Sequence, residues 1–171
     1  MTGPEALAGD EQVLQAFRVI DERLAAGGPR QVLDLLRGRL IGELLGDSRR
    51  VAAALTRDFS LVTHAGGSTT TLAGRDMVHG ITRQGDAGVM LWTELDHLVA
   101  DSSTVGGDGL LHTYQPDPGS VTSLPFAFFI RYAEGLMASE AVYLDVAATV
   151  TTPVPEGSRP SVDRIRGFLD A

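Results

Sequence analysis

The feature that most constrains this chain is a change of period near residue 56. From Asp10 to Leu55 apolar residues recur every three or four positions, and beyond that point they alternate in short segments bounded by turn residues. Val13, Leu14, Phe17, Ile20 and Leu24 outline a first helix that stops at Gly27-Gly28, as glycine past the last apolar turn implies. Pro29 suits the first turn of a second helix, which Val32, Leu33, Leu35, Leu36, Leu40, Leu44 and Leu45 carry to Gly46. Asp47 or Ser48 caps a third, short helix through Val51, Ala54 and Leu55. In the alternating half, FSLVTH and STTTLAG read as a small hairpin about Ala65-Gly66-Gly67, and GRDMVHGITRQG reads as one more helix. VMLWTELDHLVAD and TVGGDGLLHTYQP follow as strands, and FFIRYAEGLMASEAVYLD is a hairpin turning at Glu134-Gly135. Helices first and strands after predict an α+β domain, with the N-terminal helices packed on a curved antiparallel sheet. PVPEGSRP reads as a linker and SVDRIRGFLDA as a short helix, so the expected division is 1–152 for the domain and 153–171 for linker and tail.

Charge and composition exclude several partners. Net charge is −8 and all fourteen basic residues are arginines scattered singly or in short pairs, so no basic stripe exists to neutralise phosphates and nucleic acid is not expected. Cysteine is absent, which removes disulfides, thiolate chemistry and zinc-cysteine sites. The four histidines lie at least fifteen residues apart, with no His-x-x-x-His pair, and neither a metal nor an organic cofactor is expected. MTGPEALAGDEQ has neither a positive nor an apolar leader segment, and no apolar run nears the ~18 residues that span a bilayer. The expectation is a cytoplasmic protein without a membrane partner.

Alternation then sorts candidate site residues. In Val89–Ala100, Leu91, Thr93, Leu95, His97 and Val99 share one face, and Trp92, Glu94, Asp96 and Leu98 share the other. With Ser102-Ser103 as a two-residue turn, His97 stands opposite Asp108, Leu95 opposite Leu110, Thr93 opposite His112 and Leu91 opposite Tyr114. A carboxylate beside an imidazole in a water-poor pocket fixes the tautomer and raises basicity, which suits proton abstraction next to a carbonyl. The expected catalytic set is therefore His97, Asp108, His112 and Tyr114. A one-residue slip would move Asp108 outward, and Gly106-Gly107 invites a bulge. In the last hairpin a two-residue turn puts Arg131, Phe129 and Ala127 on one face with Ala138, Glu140 and Val142. Phe126, Phe128, Ile130, Tyr132, Met137 and Tyr143 share the other, which by hydrophobicity alone is the core side.

Two long helices, a short hairpin, the GRDMV helix start and a last hairpin of form F-x-x-x-x-G-x-x-x-x-x-x-x-Y-x-D together resemble the NTF2-like superfamily, in its SnoaL-like branch, over roughly residues 11–150. The resemblance implies a cone-shaped barrel with an apolar pocket, a hydrophobic small-molecule ligand and a homodimer through the outer sheet face. Its register turns Phe129, Glu140 and Val142 inward, against the hydrophobicity reading, and completes the expected pocket lining as His64, Leu91, Thr93, Leu95, Leu110, Phe129, Glu140 and Val142. It also sets Val142 where epoxide hydrolases of this type carry an acid and Ala127 where steroid isomerases do. Neither residue can transfer a proton. The implied activity is cofactor-free proton transfer on a hydrophobic, carbonyl-bearing substrate by a cyclase, isomerase or dehydratase. The alternatives are a non-catalytic binding or dimerisation module and a limonene-type epoxide hydrolase.

Overall fold

The strongest helical period in the sequence produces the longest helix. A computed structural model describes residues 9–169. In it α1 (Asp10–Val13) and α2 (Gln15–Ala25) precede α3 (Arg30–Leu45), which buries Val32, Leu33, Leu36, Ile41 and Leu44. Gly46 ends α3 in the left-handed conformation (φ 66°), and α4 (Ser48–Ala53) begins under an Asp47 cap whose side chain accepts from Arg50 N at 3.1 Å. The expected first helix is thus two, divided at Leu14. At that break Gln12 donates to Glu94, while the Gln15 amide both donates to Leu95 O (2.8 Å) and accepts from Leu95 N (2.7 Å).

The strands are β1 (Leu55–Ala65), β2 (Ser68–Ala73), β3 (Met90–Ala100), β4 (Thr104–Gln115), β5 (Ser120–Ala133), β6 (Leu136–Leu144) and β7 (Val150–Pro153), with α5 (Gly74–Asp86) between β2 and β3. They form one curved, unclosed sheet in the order β2-β1-β6-β5-β4-β3, and β7 pairs with the start of β5. The sheet is mixed, because β1 lies parallel to β6 whereas the other pairs are antiparallel. Far-apart segments are free to pair that way, unlike hairpin neighbours.

Two bulges decide which side chains face inward. In β3 the pairing jumps from Leu95↔Gly109 to His97↔Asp108, passing over Asp96. Gly109 accommodates this at φ 155°, where an added Cβ would lie 2.0 Å from the Glu94 carbonyl oxygen. In β6 the pairing jumps from Tyr132↔Met137 to Arg131↔Ser139, passing over Ala138. Each bulge reverses the alternation beyond it.

Apolar burial forms two clusters. One lies between the helices and the concave face and includes Ile20, Leu36, Phe59, Met77, Ile130 and Met137. The other joins Phe17, Trp92, Tyr114 and Val121 to Val154 and to Ile165 of the tail helix α6 (Val162–Leu169). Ile165 is wholly buried, a burial worth about 1.5–3 kcal/mol that ties the tail down.

Candidate functional site: a charged floor in an apolar cavity

A cavity of about 370 Å³ lies between α3, α5 and the concave face of the sheet. Its walls are apolar, with Leu36, Leu61, Leu95, Phe128, Ile130 and Val142 prominent. Into this lining α3 delivers Arg39 and Glu43, one turn apart, and β6 delivers Glu140. Arg39 Nε donates to Glu43 Oε1 at 2.8 Å, and its Nη2 stands 2.5 Å from Glu140 Oε2. Arg39 and Glu140 are 6% and 7% exposed. The guanidinium also donates to Met137 Sδ at 3.7 Å and lies over the Phe59 ring, 5.8 Å from its centroid.

Two carboxylates facing one guanidinium in a dry site leave an unbalanced negative charge, which favours uptake of one proton. Burial pushes Glu140 above the usual carboxylate range, and Glu43 adds to this, although Arg39 pulls the other way. Burial also pulls Arg39 down, but Glu140 and Glu43 outweigh it and keep the guanidinium charged. Nearby Tyr132 donates to Val32 O at 3.1 Å, and burial pushes its hydroxyl well up, so it stays protonated. The floor therefore couples a carboxyl whose hold on a proton is strengthened by burial to a second carboxylate through a fixed cation.

Of the expected lining, Leu91, Thr93, Leu95, Glu140 and Val142 border this cavity, and His64, Leu110 and Phe129 do not. Phe129 is 46% exposed on the convex face. Its neighbours Phe128 and Ile130 point inward because the Ala138 bulge lets β5 present its apolar set while β6 presents Glu140 and Val142. Each of the two competing readings of this hairpin therefore holds for one strand. Leu110 yields its inward place to Leu111, since the Asp96 bulge pairs it with Glu94. His64 stacks on Tyr143 (4.6 Å) and contacts Thr69 Oγ1 at 3.0 Å, beside a separate convex groove.

The four expected catalytic residues also stand outside the cavity. His97 Nδ1 contacts Asp108 Oδ1 at 2.8 Å, yet their side chains are 79% and 52% exposed, because the bulge turns His97 to the convex side. His112 is buried beneath α1 with its ring on Trp92 (5.2 Å), its Nδ1 2.7 Å from Ser123 Oγ and its Nε2 2.9 Å from Glu94 Oε1. A carboxylate only accepts, so Nε2 carries the proton and the Ser123 hydroxyl donates to Nδ1. Burial holds His112 below the ordinary imidazole range despite Glu94. Tyr114 lies in the second apolar cluster.

Sequence reasoning missed Arg39 and Glu43. Their signal is a pair of opposite charges at i and i+4, placed in register with Val32, Leu36 and Leu40 on the apolar stripe of α3. Among the described residues no group of three or more side chains is placed to hold a metal, and no helix is long and apolar enough to cross a membrane.

No protein-family model matches the sequence, and no curated protein aligns with it significantly. Solved structures do match. An LEH-like epoxide hydrolase of M. tuberculosis is similar at 17% identity over 70% of this chain and 86% of its own, with a TM-score of 0.59. A Δ5-3-ketosteroid isomerase from Mycobacterium sp. is similar at 15% identity, covering 71% and 98% of the two chains (TM-score 0.57). A putative polyketide cyclase of Xanthomonas campestris matches at 15%, covering 70% and 93% (TM-score 0.51). Likeness at such identities is likeness of fold: the chain has the NTF2-like α+β cone fold, helices on a curved, unclosed sheet, that these three structures also have.

Proposed function

We propose that the protein is a cofactor-free hydrolase of hydrophobic epoxides, with Glu43 as base, Glu140 as acid and Arg39 as the fixed cation between them. The observation that carries this reading is the Glu140, Arg39, Glu43 chain at the floor of an otherwise apolar cavity. Opening an epoxide needs a carboxylate to activate water and an acid to meet the leaving oxygen. Glu43 takes a proton from water as the water oxygen bonds to one epoxide carbon. The C–O bond at that carbon breaks, and the oxygen takes the proton of Glu140, giving a vicinal diol. Transfer of the proton from Glu43 back to Glu140 through water resets the site. The acid sits two residues before Val142 on the same inward face of β6. The carbonyl proton-transfer reading relied on His97 and Asp108, which are remote from the cavity, so for that chemistry too the floor carboxylates are the available groups.

Turnover of racemic aryl and terpenoid epoxides, followed as diol formation, tests this. Glu43→Gln and Glu140→Gln are each expected to lower kcat by about 10²–10⁴-fold while binding persists. Activity is expected to fall as pH rises through the elevated Glu140 range, where the acid form is lost. Isomerisation of unsaturated ketones with no diol from any epoxide would transfer the same residues to enolisation. Epoxide binding without either reaction would make the cavity a binding site alone.

We further propose that two copies pair through the convex sheet face. Val99, Phe129 and Tyr143, exposed at 66%, 46% and 52%, support this. Sedimentation of wild type against Phe129→Asp tests it, the variant being expected to run as a monomer.

A further inference from the structure

Helix α5 is held at both ends by glycines in close contact with their neighbours, and between those ends it walls the cavity. At its start Gly74 lies against Phe59, where an added Cβ would stand 3.3 Å from the Phe59 Cβ. At its end Gly85 faces Gly46, the residue that terminates α3. A Cβ on Gly85 would stand 3.0 Å from the Gly46 Cα and 3.3 Å from its carbonyl oxygen. From the other side, a Cβ on Gly46 would stand 2.7 Å from the Gly85 Cα. Elsewhere on these two helices there is room, since a Cβ on Gly38 or Gly80 meets nothing within 4 Å among the described residues. Gly85 lies inside α5, where alanine is the better helix former. Its lack of a side chain therefore answers to the neighbouring helix and not to its own backbone.

This contact sits at the edge of the cavity. Glu43, three residues before Gly46, lines it from α3, and Gln84, next to Gly85, lines it from α5. Leu36 and Leu40 on one helix and Met77 and Ile81 on the other extend the two facing walls. The distance between the helix ends thus fixes the gap beside Glu43, and close-packed interiors register a change of a single methylene. We propose that the contact between Gly46 and Gly85 sets the largest group the cavity admits beside Glu43, which makes Gly85 a specificity-determining residue. The proposal rests on the cavity being the substrate site, as proposed above, and adds which hydrophobic substrates fit it.

The direction follows from how α5 is anchored. Returning the 3.0 Å approach to the about 3.5–4.0 Å of relaxed carbon contact separates the ends by about 0.5–1 Å. The start of α5 is tethered, because β2 runs directly into it and Gly74 abuts Phe59. The helix therefore pivots at that end, and the gap opens most beside Gln84. Gln84 Oε1 is buried without a hydrogen-bond partner among the described residues, so separation there breaks no bond of that oxygen and admits water to it. Arg39, Glu43 and Glu140 belong to α3 and β6 and keep their mutual contacts.

Two para-substituted series read the size limit, phenols for binding and styrene oxides for turnover, each carrying hydrogen, methyl, isopropyl or tert-butyl. Titration calorimetry of the phenols gives the affinity of the tert-butyl member relative to the methyl member, and circular dichroism shows that each variant is folded. Gly85→Ala is expected to raise that ratio about ten-fold, the discrimination a methylene commands in an apolar pocket. Gly46→Asn adds a Cβ from the other side, in a conformation asparagine tolerates, and is expected to raise the ratio as well. Gly38→Ala is expected to leave it unchanged. A ratio that stays or falls in the folded variants overturns the proposal, and so does a cavity that binds no member of the series. Failure of both variants to fold also overturns it, because the contact would then be a requirement of folding and not a limit on size. The styrene oxides keep the reaction separate. A shifted phenol ratio with no diol from any epoxide removes the hydrolase reading and leaves the size limit standing. Diol formation with the same size profile in wild type and Gly85→Ala does the reverse.

Discussion

Two acid–cation contacts of similar length lie on opposite faces of one sheet. On the concave side Arg39 stands 2.8 Å from Glu43 and 2.5 Å from Glu140, and on the convex side His97 stands 2.8 Å from Asp108. Distance does not separate them, but water does. The inner groups are nearly dry, so each charge depends on its partners and a proton can be held where water would not leave it. The outer pair is bathed in solvent, which supplies either group with a substitute partner at once. A carboxylate beside an imidazole, which looks like a catalytic pair in sequence, is therefore the less consequential of the two in the folded monomer.

The contrast can be broken most severely from inside. Arg39→Met leaves two carboxylates buried without a cation and is expected to cost about 3–5 kcal/mol in chemical denaturation. A loss below about 1 kcal/mol would mean that water reaches the floor. Next comes the bulge that assigns His97 to the outer face. Gly109→Ala forces a side chain against the Glu94 carbonyl in a conformation glycine alone adopts freely, and about 2–3 kcal/mol is the expected loss. Unchanged stability would show that Leu95 to His97 runs without the bulge and would bring His97 back toward the cavity. A smaller effect sharpens the picture from His112, which burial keeps neutral. Because its folded value lies below its unfolded one, it supports the fold above about pH 6.5 and withdraws that support as pH falls. Melting profiles should therefore decline on the acid side, and His112→Gln should flatten that decline. The smallest effect belongs to the outer pair. His97→Ala is expected to change stability by no more than about 0.5 kcal/mol and to leave turnover intact, whereas lost turnover would return His97 to the chemistry.

How far the sequence could be read depends on where period alone suffices. The change from a three-to-four repeat to alternation near residue 56 announces the helices, most of the strands and their order, but β1 begins at Leu55 rather than Phe59, β5 begins at Ser120 rather than Phe128, and the short β7 carries no such signal. Faces are another matter. Alternation carries a side assignment along a strand only until an extra residue intervenes, and Asp96 and Ala138 each reverse it. Gly106-Gly107 drew the eye as a bulge site, but the residue that permits one is Gly109, across from a break in β3 that no residue type advertises. Glu140 was legible as the inward carboxylate of the last hairpin. Its partners were not, because an arginine on a leucine-rich helix reads as a solvated charge until the sheet places an acid against it.

The Gln15 amide, which meets both the N–H and the C=O of Leu95 on the outermost strand, bears on the life of the protein at high concentration. A free strand border is an invitation for another chain to add itself, and repeated addition leads to fibres. One side chain here imitates a neighbouring strand for the length of a single residue, with α1 and α2 behind it. Growth of the sheet in that direction is thereby hindered at Leu95.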